Sequence, residues 1–317
     1  MPSATILVFV RSVGVGVLAA LAVVPGVATA AKLPARYYLA LGDSLSQGVQ
    51  PDVRGVSLET DQGYPNQLFA IERRQLPNLK LVKMGCPGDT TTSMLTGHGN
   101  DANAKLFRCD RSGGSQLKAA ESFLRAHHRA GEVALVTIDI GANDVDGCAA
   151  PGVNVVSCVA AGGASIKRNT PLILRGIKRA ASSRTVLAGM TLYDPILSDY
   201  FNASASARAL AAASVVFLKM INREITNANR AAGFRTADVA GAFKSYDGTV
   251  SVPYHGQMVP VNVARVCSWT WACTPPPSGP NIHANKNGYA VIAHEFARVI
   301  GRLARIAVPP TSPRPTG

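Results

Sequence analysis

Short apolar runs alternate along the chain with longer stretches whose apolar positions recur at helical spacing. The runs Tyr37–Leu41, Leu79–Lys83, Val133–Ile140, Thr185–Tyr193 and Phe234–Val239 predict β-strands. Between them, Gly63–Gln75, Gln116–Arg129, Ile166–Ser182 and Ala207–Ala231 predict helices, the last with Val215, Leu218, Ile221 and Ile225 on one face. A fifth helix is expected from about Lys286 to Ala304. Strand and helix in this alternation predict an α/β fold with a parallel sheet covered on both faces, whose site lies at the carboxyl ends of the strands. From Ala240 to Pro280 no period persists, so a long loop is expected there. It holds Tyr254, Trp269 and Trp271, which suit an acyl-binding face or a sugar platform, or simply packing of the loop on the body.

The ends of the chain read differently. Met1 to Ala30 carries one basic residue, Arg11, no acid, and an apolar core from Val13 to Val24. Pro25 and the small-x-small sequence Ala28-Thr29-Ala30 follow, the pattern of a cleaved secretion signal, with an uncleaved anchor as the alternative. Gly14 and Gly16 within it fit part of a dinucleotide fingerprint, but no strand precedes them. Residues 31–306 then form the folded domain, and the Pro-rich residues 307–317 are expected to be disordered. The formal net charge is +13, with Arg11 the only contribution from the signal. The basic residues are spread out, which argues against nucleic acid and for an anionic cell-envelope surface as the large neighbour.

Six cysteines in an exported chain suggest three disulfides. Nearest-neighbour pairing, Cys86–Cys109, Cys148–Cys158 and Cys267–Cys273, is the simplest connectivity. A thiolate metal site needs tighter Cys-x-x-Cys or Cys/His spacing than the chain has.

Candidate chemistry gathers where strands end. The first strand runs into Gly42-Asp43-Ser44-Leu45-Ser46-Gln47-Gly48, where Gly42 permits a sharp turn. A helix beginning at Leu45 would set the Ser44 N–H at its positive end, so Ser44 is either a nucleophile or an ordinary N-cap. After the second strand comes Gly88 in Gly85-Cys86-Pro87-Gly88-Asp89-Thr90-Thr91, and after the third comes Asn143 in Gly141-Ala142-Asn143-Asp144. The N–H groups of Ser44 and Gly88 and the Asn143 NH₂ make three donors that could converge on one oxyanion, although Gly88 and Asn143 also suit plain turns. A base is then required. His127 and His128 end a helix and are expected to be exposed, His98 and His255 lie in loops, and His294 lacks the spacing of a zinc motif. His283, just before the last helix, can reach across from the far end of the chain.

Gly42-Asp43-Ser44-Leu45-Ser46 with Gly48, Gly88 in Gly-Asp-Thr-Thr, Gly141-Ala142-Asn143-Asp144, and His283 before Asn-Gly-Tyr resemble, in order, the four blocks of the SGNH or GDSL hydrolases. The resemblance covers about Arg36 to Ala304. It implies a three-layer α/β/α sandwich with a flavodoxin-like five-stranded parallel sheet, and hydrolysis of esters without metal or cofactor. It further implies Ser44 as nucleophile, His283 as base, and Ser44, Gly88 and Asn143 as the oxyanion hole. The chain also looks like the secreted bacterial esterase and lipase branch with three disulfides. Asp43 and Asp144 belong to the family blocks as turn-stabilising residues, and Asp139 reads as structural.

One departure stands out. Members of the family usually carry Asp three residues before the histidine, where this chain has Pro280. Two acceptors remain for His283, a backbone carbonyl near Gly279 or Pro280 and the side-chain oxygen of Asn281. The carbonyl is favoured, because an amide can turn its NH₂ toward the imidazole and select the wrong tautomer. The expectation is a monomeric, secreted serine esterase or lipase acting on a small-molecule or lipid ester through a Ser-His dyad and an acyl-enzyme. A carbohydrate acetyl esterase and a non-catalytic envelope-binding protein are the alternatives.

Overall fold

The computed structural model describes residues 35–303 except 130 and 151, together with residues 1 and 3. The expected signal and its Gly14/Gly16 pattern, residues 1 and 3 aside, and the expected tail 307–317 lie outside these residues. Five parallel strands form the central sheet: β1 (Arg36–Gly42), β2 (Leu79–Lys83), β3 (Val133–Asp139), β4 (Val186–Met190) and β5 (Arg235–Ala237). Their spatial order is β2-β1-β3-β4-β5. This is the flavodoxin-like order, with a topological switch between β1 and β3 where ligands bind.

The helices that position the site are α1 (Ser44–Gln47), α2 (Tyr64–Glu72), α3 (Gln116–Ala126), α4 (Val155–Ala180), α5 (Ala205–Ala232) and α6 (Lys286–Ile300). Strand side chains alternate between two apolar clusters. Tyr38 and Ala40 of β1 pack with Tyr64 and Leu68 of α2 and Phe296 of α6, while Leu39 and Leu41 pack with Leu124 of α3 and Ile177 of α4. Burial on both faces is why all seven residues of β3 are buried and why its sequence is apolar except for Thr137 and Asp139. Caps set the helix starts: side chains of Ser115, Asn154, Ser204 and Asn285 accept from the first turns of α3, α4, α5 and α6.

Three expectations change. Helix α4 begins at Val155 and not Ile166, because Asn154 caps it and the Cys148–Cys158 disulfide anchors its first turn. The glycines at 162 and 163 hide that start in the sequence, yet Gly162 is required where α4 crosses the backbone of Asp144, whose carbonyl would lie 2.3 Å from an added Cβ. Residues 240–280 are ordered: a hairpin of Ser251–Tyr254 with Gln257–Pro260 leads into a helix, Val261–Trp269, which the Cys267–Cys273 disulfide ties to the following turn. His127, expected to be exposed, packs against the rings of Tyr37 and Phe123 and is half-buried.

Buried polar side chains weld the strand-end turns together. Asp89, fully buried in the turn after β2, accepts from Ser93 Oγ, Asn100 Nδ2 and Arg111 Nη2 on one oxygen and from Gln116 Nε2 on the other, all within 2.9 Å. Gln116 at the start of α3 also accepts from Gly42 N–H at 2.8 Å and donates to Gly42 C=O at 2.9 Å, so one amide links the turns after β1 and β2. Removing the carboxylate takes from the largely buried Arg111 guanidinium its closest acidic partner, leaving it the Gly97 carbonyl and the exposed Asp101 carboxylate at 3.8 Å. Asp89→Ala is therefore expected to cost about 3–5 kcal/mol, read as a fall in the urea midpoint at constant m-value; a loss under about 1 kcal/mol would show that the pair does not hold the turn.

Candidate active site

The turn after β1 is forced by crowding. Gly42 has φ +130°, and a Cβ there would lie 1.9 Å from the carbonyl oxygen of Asp139. The chain must pass this close to β3, so only glycine fits. Asp43 then caps α1, accepting the Leu45 N–H at 3.0 Å. From residue 38 to residue 51 every residue is buried except Ser44. Gly85 packs against Ser46, where a Cβ would lie 1.7 Å from its hydroxyl oxygen, and Ser46 donates to the Asp43 carbonyl at 2.7 Å. The turn is thus clamped on both sides, with Ser44 presented at the surface.

His283 arrives from a short strand, Asn281–Ala284, that pairs with Thr270–Trp271. Its Nε2 lies 2.9 Å from Ser44 Oγ, across 239 positions of sequence. Its Nδ1 lies 2.7 Å from Asn281 Oδ1, and that same oxygen accepts the His283 backbone N–H at 3.0 Å. The acceptor is therefore the Asn281 side chain and not a carbonyl near Gly279 or Pro280. The reason that favoured the carbonyl, free rotation of the amide, is removed by local geometry. A flipped amide would face its NH₂ against a backbone donor, whereas the present orientation also lets Nδ2 approach Ser57 Oγ at 3.4 Å. Nδ1 thus carries the hydrogen, and Nε2 presents its lone pair to Ser44. Burial pushes the imidazole pKa down to about 4, so the ring is neutral near pH 7.

The expected oxyanion donors lie on joined turns. Gly88 has φ +80°, and Asn143 Nδ2 donates to the carbonyl of the next residue, Asp89, at 3.0 Å, leaving its second amide hydrogen for another acceptor. Both Gly88 and Asn143 are partly exposed, like Ser44. Asp144 holds the other side of this junction, accepting from Thr91 N–H at 2.7 Å and Thr91 Oγ1 at 2.6 Å. Beneath Ser44 two carboxyl groups meet. Asp139 accepts the Tyr64 hydroxyl at 2.5 Å on one oxygen and the Asp43 N–H at 3.3 Å on the other, while Asp43 Oδ2 is buried with no donor among the described residues. Burial raises the pKa of both carboxyls, and their mutual repulsion raises Asp139 further.

The tryptophans do not face the site. Trp269 packs edge-on against Phe243 with Arg265 over its ring, and Trp271 Nε1 donates to Gln50 at 3.3 Å, so they pin the 261–273 segment to the body. Gln116 and Tyr64 carry no signal in the sequence, since each sits at an ordinary helix start, whereas Asp89 stands in the Gly-Asp-Thr-Thr block without a role of its own. Asn281 carries a signal, an Asn two residues before the histidine in a stretch without acids.

Among known structures, an alpha/beta hydrolase from the metagenome of Lake Arreo, Spain, is similar at 18% identity and TM-score 0.48, covering 85% of this chain and 97% of its own. The extracellular lipase of Streptomyces rimosus is similar at 20% identity and TM-score 0.42, with 73% and 95% covered. Phospholipase A1 of Streptomyces albidoflavus NA297 is similar at 17% and TM-score 0.42, with 73% and 94% covered. No curated protein matches the sequence. Residues 40–291 match the family model, a span that contains the Ser44 turn, the Gly88 and Asn143 turns and His283, and the chain belongs to the GDSL-like lipase/acylhydrolase family.

Proposed function

We propose that this hydrolase cleaves carboxylic esters through an acyl-enzyme on Ser44, with His283 as the base and Asn281 as the group that orients it. The observation that carries this reading is the relay from Ser44 Oγ through both His283 nitrogens to Asn281 Oδ1, with distances of 2.9 and 2.7 Å. Ser44 Oγ adds to the ester carbonyl carbon while its proton passes to Nε2. The oxygen charge that develops is met by the N–H groups of Ser44 and Gly88 and the spare Asn143 amide hydrogen. The imidazolium returns the proton to the departing alkoxide, which leaves as alcohol. Water then repeats the sequence on the acyl-serine, releasing the acid and restoring Ser44.

Asn281 differs from an aspartate in one respect only. It fixes the same tautomer, but it offers a dipole where an acid offers a full charge to the transient imidazolium. The cost in the serine-protease Asp-to-Asn case combines a wrong tautomer with a lost charge; here the first part is absent. A non-catalytic role is disfavoured by the preserved contact between Ser44 and His283. Three disulfides fit an oxidising compartment, and we place the protein outside the cytoplasm as a secreted monomer, with the anionic cell envelope as the neighbour its positive charge favours.

Ser44→Ala is expected to abolish ester hydrolysis with little change in thermal midpoint, and a serine-directed phosphonate should label Ser44 alone. Activity that survives the substitution, or a label elsewhere, refutes the assignment. Asn281→Ala should lower kcat by about 10²-fold with a smaller change in KM, since orientation and charge matter most at the transition state. An effect confined to KM would instead make Asn281 a substrate contact.

The pH profile gives a separate check. His283 must be neutral to act as base, and its pKa of about 4 puts the acid limb of kcat/KM near pH 4, with activity lost as pH falls through that value and full above it. Asn281→Asp adds a charge that favours the imidazolium, so the limb should move up by about one unit or more. An unmoved limb would mean that another group controls it.

A further inference from the structure

Beside Ser44 the structure opens a cavity of about 130 Å³. Val145, Val159, Leu192, Leu210, Phe217 and Ile221 make most of its apolar wall, contributed by the turn after β3, the first turns of α4, the end of β4 and the inner face of α5. The Cys148–Cys158 disulfide ties two of these walls together, and Cys148 itself faces the space. Ser44 and Asn143 are both part of its lining. Apart from Ile282 and His283, no lining residue comes from the histidine-bearing segment. Most of its lining thus comes from the turn after β3, the first turns of α4, the end of β4 and α5, and little from the segment that carries the base.

Its charge is opposite to that of the chain. The protein has 32 Lys and Arg against 19 Asp and Glu, yet the acidic residues at the chamber are Asp146 and Asp194, with Asp43 buried beneath Ser44, and no Lys or Arg lines it among the described residues. Asp194 is buried, accepting Ser214 Oγ at 2.8 Å and the Ile196 N–H at 3.1 Å. Asp146 is half-buried and has no hydrogen-bond partner among the described residues. A second carboxylate entering these apolar walls would lose water and meet like charge with no cation to pair with.

We propose that this chamber is the acyl-binding site, that it takes uncharged acyl chains of about four to eight carbons, and that its acidic lining rejects acyl chains ending in a carboxylate. The length follows from volume: a cavity of ~150 Å³ takes a six-carbon ring, and this one is of that order. The same repulsion acts on the product, because hydrolysis turns a neutral ester into a carboxylate at the chamber mouth and so favours its release. The inference rests on the Ser44 reading above, and its test separates the two.

The test compares kcat/KM at about pH 8, where carboxylates are ionised, for p-nitrophenyl acetate, hexanoate and palmitate and for the mono-p-nitrophenyl ester of adipic acid, which has the six carbons of hexanoate with a carboxylate in place of the terminal methyl. Hexanoate should exceed both acetate and palmitate by about tenfold and the adipate ester by about 30-fold, equivalent to about 2 kcal/mol. Asp146→Asn should cut the hexanoate-to-adipate ratio to below about tenfold. Leu210→Trp, which fills the chamber without touching its charge, should move the optimum toward acetate and leave the charge discrimination in place. An optimum at palmitate, equal rates on hexanoate and the adipate ester, or a ratio unchanged in both Asp146→Asn and Asp194→Asn overturns the proposal. Hydrolysis that persists in Ser44→Ala overturns the catalytic reading and this inference with it, whereas an inactive Ser44→Ala with a flat chain-length profile overturns the chamber alone.

Discussion

The hydrogen bond from the His283 backbone N–H to Asn281 Oδ1 is the contact on which the site depends. An amide side chain has two ends of similar shape and opposite polarity, and left free it would present either to the imidazole. The backbone donor two residues along removes that freedom at 3.0 Å, because only an oxygen can lie there. The tautomer of His283, the lone pair on Nε2 and the 2.9 Å approach to Ser44 Oγ all follow. The chain thus reproduces the orienting half of an acid's work with a neutral residue and leaves the electrostatic half weaker. A low imidazole pKa is the natural companion of that choice, since no carboxylate beside the ring supports its charge.

Such a relay works only if its two ends stay in register, and they belong to opposite ends of the chain. The rigidity comes from buried polar groups beneath the strand ends and not from the apolar core alone. Gln116 bonds both backbone groups of Gly42 and one oxygen of Asp89, and Asp89 gathers Ser93, Asn100 and Arg111 on the other. Under Ser44 the Asp43 and Asp139 carboxyls are buried together, with the Tyr64 hydroxyl and the Asp43 backbone N–H both donating to Asp139. Each group is costly to bury unpaired, so the network has few alternative arrangements and fixes the turns in one.

The charge of the molecule and the charge of its chamber point in different directions. A basic exterior attracts anionic surfaces over distances of about a Debye length, whereas the acidic lining acts only at contact range within low-dielectric walls. The two do not conflict: the proposed attraction to an anionic envelope acts at long range, and the proposed selection among acyl groups acts only inside the chamber.

The order of elements was legible because each strand is buried on two faces and each long helix on one, so the hydrophobic period survives in the sequence. All five strands of the sheet and the last helix were placed within a few residues, and candidates could be picked out, Ser44, Gly88 and Asn143 because they sit in turns at strand ends and His283 because it comes just before the last helix. The start of α4 and the order within residues 240–280 were not legible. Both depend on disulfides and on packing against distant backbone, which leave no period. Asn281 shows the limit most plainly. Sequence reduced the acceptor to two atoms, but choosing between them required knowing which way an amide faces. That orientation is set by a backbone N–H whose direction exists only once the strand Asn281–Ala284 is paired. The acidity of the chamber is likewise a tertiary fact: Asp146 and Asp194 lie on separate turns of a basic chain, and only the fold brings both to one space that no described lysine or arginine lines.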